Sequence, residues 1–222
     1  MLGLFNIGYS ELIARLIVIL TAIPIHEFAH GYAAYKMGDD TARLSNRLTL
    51  NPMHHIDPVG TLMILLFGFG FAKPVPVNSL RFTRRRRGII ITSLAGPVSN
   101  ILLALVSILL MKLLLVVYAI TGMEFFSGII TIFNFMVSIN LTLAVFNLIP
   151  IPPLDGWHVL VTLMPYDAYR KIAPYEQYMI WGVLLLAWMG ALSPIIRFFV
   201  IPMWNLLDKL TFFVDLLFRL VM

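Results

Sequence analysis

Leu12-Ile13-Ala14-Arg15-Leu16-Ile17-Val18-Ile19-Leu20-Thr21-Ala22-Ile23-Pro24-Ile25-His26-Glu27-Phe28-Ala29-His30 is an apolar run that ends on an H-E-x-x-H motif. With the residues after it, the run covers 12–35, enough for the ~20 residues that cross the hydrocarbon of a bilayer. Residues four apart on a helix lie about 40° from each other around its axis. His26 and His30 can therefore reach one ion while Glu27, one step round, faces a water on it. On a soluble helix the bare motif is a weak signal. At bilayer depth an ionisable side chain costs at least roughly 2.5–3.5 kcal/mol on insertion scales, so three together call for a partner such as a metal. The implied chemistry is metal-assisted hydrolysis inside a membrane; the bland alternative is three buried polar residues that pair with each other.

Composition gives the same class. Of 222 residues, 60% are hydrophobic and 12% charged, with a mean hydropathy of +0.91, which describes an integral membrane protein. No composition shift marks a soluble module and no internal repeat is evident, so residues 1–222 read as a single membrane-embedded domain. The chain has no cysteine, which excludes disulfides and thiolate ligands and leaves imidazole and carboxylate as metal donors. Zinc fits such a donor set best. The opening residues lack a basic n-region, and the apolar run carries the motif itself, so the first helix is expected to stay in the mature chain.

The fold expected from run length is an all-α polytopic membrane protein with four to five transmembrane helices and a re-entrant segment. The spans are 12–35, 88–117, 125–149 and 179–196, and Pro24 predicts a kink just before the motif. Residues 59–72 are apolar but too short to span, and Gly60, Gly68 and Gly70 weaken them as a helix; they read as re-entrant or interfacial. Short extended character at 47–50 and 74–77 suggests a small edge β-sheet as a secondary expectation, with prolines that bar a central strand position. Residues 201–222 carry Asp208, Lys209, Asp215 and Arg219, which suits either an amphipathic surface helix or a fifth span.

Basic residues set the orientation. Lys36, Arg43, Arg47, Lys73, Arg81 and the run Arg84, Arg85, Arg86, Arg87 all fall between the first two spans, which makes that connection cytoplasmic. Glu124 follows the second span, and Arg170 and Lys171 follow the third, in agreement. The amino terminus then lies outside, with the motif roughly 21 Å along the first helix from Leu12, toward its cytoplasmic end. The arginine run reads as a topology anchor on anionic lipid rather than a nucleic-acid site.

A catalytic zinc usually takes three protein ligands and keeps one open position, so a third donor is needed. Asp155 is the candidate. It follows Asn147-Leu148-Ile149-Pro150-Ile151-Pro152-Pro153-Leu154, where three prolines stop the helix and are expected to continue it as extended chain. Non-helical backbone at membrane depth survives only when buried in protein or lining a wet cavity, so such a segment makes a cleft. Gly156 allows close backbone approach. Without the histidine motif, a turn aspartate at a membrane boundary would be the simpler reading.

H-E-F-A-H, G-P-V-S-N at 96–100 and N-L-I-P-I-P-P-L-D-G at 147–156 together resemble the site-two protease family of intramembrane metalloproteases, in an order and spacing that cover about 25–158. N-P-M-H-H-I-D-P at 51–58 and F-A-K-P-V-P-V-N at 71–78 resemble its compact prokaryotic branch, without a PDZ-like insertion or an appended regulatory domain. The resemblance implies one zinc held by His26, His30 and Asp155, with Glu27 as general base. It also implies that Asn147 contacts the substrate backbone or steadies the reaction centre, while Asn100 packs or positions. Its expected partners are a transmembrane protein substrate and the lipid bilayer, with no nucleic acid, in a prokaryotic cytoplasmic membrane with the active site toward the cytoplasm. His55 has a weaker claim to the cleft, and His158, three residues after Asp155, could support that ligand or cap a helix. Two readings from other classes are an ion-binding transporter and a catalytically silent membrane chaperone. Glu27 beside the first histidine favours hydrolysis, because a base needs it and a transport site does not.

Overall fold

In the computed structural model, which describes residues 8–67 and 70–221, three stretches are long and apolar enough to cross a bilayer: Tyr9–Lys36, Arg85–Thr121 and Glu124–Asn147. The first consists of α1 (Tyr9–Leu20) and α2 (Ala22–Lys36), parted at Thr21. Pro24 accounts for the break: it has no N–H for the carbonyl of Leu20, four residues back, and its ring crowds that carbonyl. Two short helices follow, α3 (Thr41–Leu44) and α4 (Pro58–Phe67), and then the long α5 (Arg85–Thr121) and α6 (Glu124–Asn147). The remainder is α7 (Asp155–Leu163), α8 (Tyr166–Ile172), α9 (Glu176–Trp188), α10 (Ser193–Leu210) and α11 (Phe212–Val221).

The long helix α5 is the spine, against which α2, α6, α7 and α11 all pack. Lipid tails are as apolar as leucine, so helices in a bilayer associate through close packing and polar contacts more than through hydrophobic drive. The α5–α6 seam shows this. Ala104, Ser107 and Ile108 of α5 and Val137 and Leu141 of α6 are buried there, with Leu207 of α10 closing the cluster. Leu102, Val106 and Leu110, on the other face of α5, are exposed, as lipid-facing residues should be.

Four expectations are corrected. No strand is present among the described residues, because the backbone at 73–78 is satisfied by side chains in place of a ladder. Arg47 Nη2 donates to the carbonyls of Lys73 and Pro74, Glu27 accepts from the Val75 N–H, and Asp39 accepts from the Asn78 N–H. The stretch 150–154 is a compact turn and not extended chain, with the Leu154 N–H donating to the Ile151 carbonyl. The span expected at 179–196 is not straight: Gly190, at φ +71°, ends α9 in a Schellman turn, and the pair Tyr166–Trp188 and Ser193–Leu210 is bent by 75°. Among the described residues there are therefore three membrane-length helices, or up to four if that bent pair is one span. Finally, residues 58–67 form a regular helix despite Gly60. That glycine serves a close approach instead, since a Cβ there would lie 1.8 Å from the Phe71 carbonyl oxygen of the returning chain. Gly68 lies outside the described residues.

Two charges inside the apolar helices were not anticipated. Arg15 donates to the carbonyls of Ile64 (3.2 Å) and Leu65 (2.8 Å), capping the last turn of α4, and pairs with Glu11. Lys112 of α5 is buried and lies 2.9 Å from Asp208 of α10 and 2.7 Å from Asp215 of α11. Removing the partners of a buried charge is worse than removing the charge itself. Replacing both aspartates, Asp208→Asn with Asp215→Asn, should therefore lower the thermal unfolding midpoint in detergent by more than Lys112→Met does.

Candidate metal centre

Helix α2 carries His26, Glu27 and His30 on adjoining faces, with the two Nε2 atoms 3.0 Å apart. Asp155, the first residue of α7, closes the triangle: its Oδ2 lies 3.3 Å from His26 Nε2 and its Oδ1 lies 3.3 Å from His30 Nε2. A carboxylate in a first helical turn is favoured by the partial positive charge there. Ligands about 2.0–2.1 Å from one zinc at tetrahedral angles are themselves roughly 3.3 Å apart, close to the observed triangle. Asp155 Oδ2 and His26 Nδ1 are buried without a hydrogen-bond partner. An orphaned carboxylate oxygen beside two imidazole nitrogens is the arrangement a cation would satisfy, so the three residues fit a metal ion.

Helix α5 aligns one of these donors. His30 Nδ1 is 2.7 Å from the Thr92 carbonyl, which can only accept, so Nδ1 carries the proton and Nε2 presents its lone pair to the site. Gly96 lies one turn further along α5. A Cβ there would lie 2.3 Å from His30 Nε2 and 2.6 Å from His26 Cε1, so only glycine lets the helix approach both rings. The following Pro97 has no N–H for the Ser93 carbonyl, which loosens the helix where it faces the site. Gly156 does similar work for α7, because a Cβ there would lie 2.2 Å from the Leu148 carbonyl oxygen.

These groups open on a cavity of about 640 Å³ that is also lined by Val75, Asn100, Asn147 and His158. Glu27 Oε2 accepts a 2.9 Å hydrogen bond from the Val75 N–H. Asn147 donates to the Leu143 carbonyl of its own helix at 3.0 Å and still reaches the cavity wall. Asn100 is 1% exposed, with its Oδ1 unpartnered. His158 is exposed at the cavity, one turn after Asp155. His55 is not among the cavity-lining residues; it is fully buried and holds its own loop through Nε2 to the Thr49 carbonyl at 2.8 Å. Sequence reasoning missed the Thr92 carbonyl and the Val75 N–H, since main-chain groups have no signature of their own. The Gly-Pro pair was the available signal for the first.

The family model described as Peptidase family M50 matches residues 14–190. The chain is 43% identical to YwhC of Bacillus subtilis over 166 residues, covering 73% of this chain and 74% of the relative. It is 34% identical to Rip2 of Mycolicibacterium smegmatis over 75% of this chain, a match that spans 62% of that longer relative. It is also 32% identical to MJ0611 of Methanocaldococcus jannaschii, over 70% of this chain and 73% of the relative. All three have names that class them provisionally as zinc metalloproteases. No solved structure matches.

Alanine favours helix over glycine, so Gly96→Ala should leave α5 inserted while its methyl displaces the imidazoles. Zinc content of the purified variant, read by elemental mass spectrometry at limiting metal, should fall in line with a loss of affinity of about tenfold or more.

Proposed function

Because this chain belongs to peptidase family M50, the site-two protease family of zinc metalloproteases, we propose that it hydrolyses a peptide bond within or next to a transmembrane segment of a membrane-protein substrate. One observation carries the reading: two imidazole nitrogens, a carboxylate and a second carboxylate of different surroundings meet at one cavity on a membrane-length helix. His26, His30 and Asp155 would hold one zinc per chain. When bound, the ion supplies Lewis acidity, lowering the pKa of a water to about 7 and polarising the scissile carbonyl. Glu27 would hold and move the proton, taking it from the attacking water and passing it to the leaving amine, so no covalent intermediate is needed. Asn147, on the cavity wall, would bind the substrate backbone or steady the reaction centre.

A regular transmembrane helix hides its carbonyls in its own hydrogen bonds, so the substrate must unwind locally to present one. The Val75 carbonyl and the Val77 N–H, to which no hydrogen bond is made among the described residues, are the main-chain groups of 73–78 we assign to such an unwound segment, by partial strand addition. The prokaryotic relatives support a placement in a prokaryotic cytoplasmic membrane, and the charge pattern supports a site toward its cytoplasmic side. The arginines at 84–87 begin α5, and Gly96 lies roughly 14–18 Å further along it, so the site is buried about that far below the cytoplasmic surface.

Glu27 acts as a base here and not as a ligand. Glu27→Gln should keep near-stoichiometric zinc and lose turnover by about 10²–10⁴-fold or more, whereas His26→Ala, His30→Ala and Asp155→Ala should lose the metal as well. Normal turnover in the glutamine variant would rule the mechanism out. The proposed orientation has its own check in this cysteine-free chain: a membrane-impermeant thiol reagent should reach Ser79→Cys from the cytoplasm and Thr121→Cys from outside.

A further inference from the structure

Asp39 is fully buried (0% exposed) and belongs to none of the machinery described above. It follows Gly38, whose φ of +105° turns the chain back at the end of α2, with the Asp39 N–H bonded to the Ala34 carbonyl. The carboxylate accepts three hydrogen bonds and donates none. Oδ1 takes the Thr41 N–H (3.0 Å) and the Thr41 hydroxyl, and Oδ2 takes the Asn78 N–H at 2.6 Å.

Asn78 ends the segment that reaches Glu27. At its start, Arg47 Nη2 holds the Lys73 and Pro74 carbonyls at 2.8 and 3.1 Å, and in its middle the Val75 N–H donates to Glu27 Oε2. Only Pro76 and Val77 separate Val75 from Asn78. Proline fixes its own φ and restricts the residue before it, so this short strap transmits position well: holding Asn78 places the Val75 N–H. Val75 has little freedom on its other side, where it packs against Gly31 of α2, at which an added Cβ would be 3.1 Å from Val75 Cγ1.

We propose that Asp39 is a positioning residue for hydrolysis: by gripping Asn78 it sets the strap so that the Val75 N–H holds Glu27 Oε2 and leaves Oε1 for the water. The inference rests on Glu27 being the general base. It accounts for an aspartate at a buried position where asparagine would have the same shape. An ionised carboxylate only accepts, whereas asparagine must turn its NH2 toward either the Asn78 N–H or the Thr41 N–H. Donor against donor releases one end of the strap, and a displacement of about 1 Å at a reacting group can cost about 10²-fold in rate.

The test compares the native enzyme, Asp39→Asn and Pro76→Gly, purified in detergent. The substrate is a single-span membrane protein that accumulates uncut in membranes of cells carrying Glu27→Gln. Both variants should keep near-stoichiometric zinc and a KM within about twofold of native, with kcat lower by about tenfold or more. In the Asp39→Asn background a reporter Val77→Cys should be labelled by a thiol reagent about tenfold faster, and Thr121→Cys at an unchanged rate, as expected for local release of the strap. A purely structural role predicts something else: zinc lost together with activity, or faster labelling at both cysteines. Either result, or native kcat in Asp39→Asn, would overturn the inference. If Asp39→Asn does not fold, native kcat in Pro76→Gly overturns it alone, since the coupling depends on the stiffness of the strap. An active Glu27→Gln enzyme would instead remove the base assignment, and so separates failure of the mechanism from failure of the positioning role.

Discussion

A polar group at bilayer depth has no water to turn to, so each must find its partner within the protein, and the arrangement of this chain follows from that constraint. Arg15 finds the last carbonyls of α4, which fixes how deep that helix reaches beside α1. Lys112 finds Asp208 and Asp215, which ties α10 and α11 to the spine. Trp157 Nε1 donates to Glu176 at 3.2 Å, a second tie, from the helix that carries Asp155 to α9. At His26, His30 and Asp155 an oxygen and a nitrogen are left unpartnered where two imidazoles and a carboxylate converge, and Asn100 Oδ1 in the same cavity is unpartnered too. In a soluble protein such a deficit could be made good by solvent. Here the deficit coincides with three converging metal donors, and that coincidence marks where a cation fits.

The same constraint decides what could be read in the sequence. Motif residues were legible because their cost in hydrocarbon makes chance placement rare: His26, Glu27, His30 and Asp155 reach one cavity, as does Asn147. The first three spans were legible from apolar length alone, although α5 runs on at both ends beyond 88–117. Pairings between distant charges were not, because Lys112 and Asp215 stand 103 residues apart and neither carries a local signature. The edge strand at 74–77 failed for a related reason. The prolines did mark a backbone without a full ladder, but the groups that satisfy it are the side chains of Arg47, Glu27 and Asp39, which periodicity cannot reveal. The expected fourth span ran through Gly190 because hydropathy does not register a left-handed turn.

Glycines in this fold act mainly by what they lack. Gly96 and Gly156 occupy ordinary helical backbone, so conformational freedom does not account for them. What matters is distance: one lets α5 touch two imidazoles, and the other lets the start of α7 lie against the turn after α6. Together they let the histidines of α2 and the first residue of α7 meet beside the Thr92 carbonyl of α5. The site is therefore a product of backbone approach as much as of its ionisable groups, and a sequence with the same four polar residues but alanine at those positions would not assemble it.

Two carboxylates share this cavity, and their surroundings divide the work between them. Asp155 faces two imidazoles with both oxygens and sits at a helix start, surroundings that suit a carboxylate binding a cation. Glu27 commits one oxygen to a single backbone N–H. A peptide N–H can hold a carboxylate in place without neutralising it, and it cannot exchange roles during turnover as a side chain with its own proton could. A ligand should be surrounded by what it binds, whereas a base should be oriented and otherwise left free to accept. The difference in hydrogen bonding supports the proposed division, Asp155 as ligand and Glu27 as base, and in that proposal the strap that supplies the N–H is part of what orients the base.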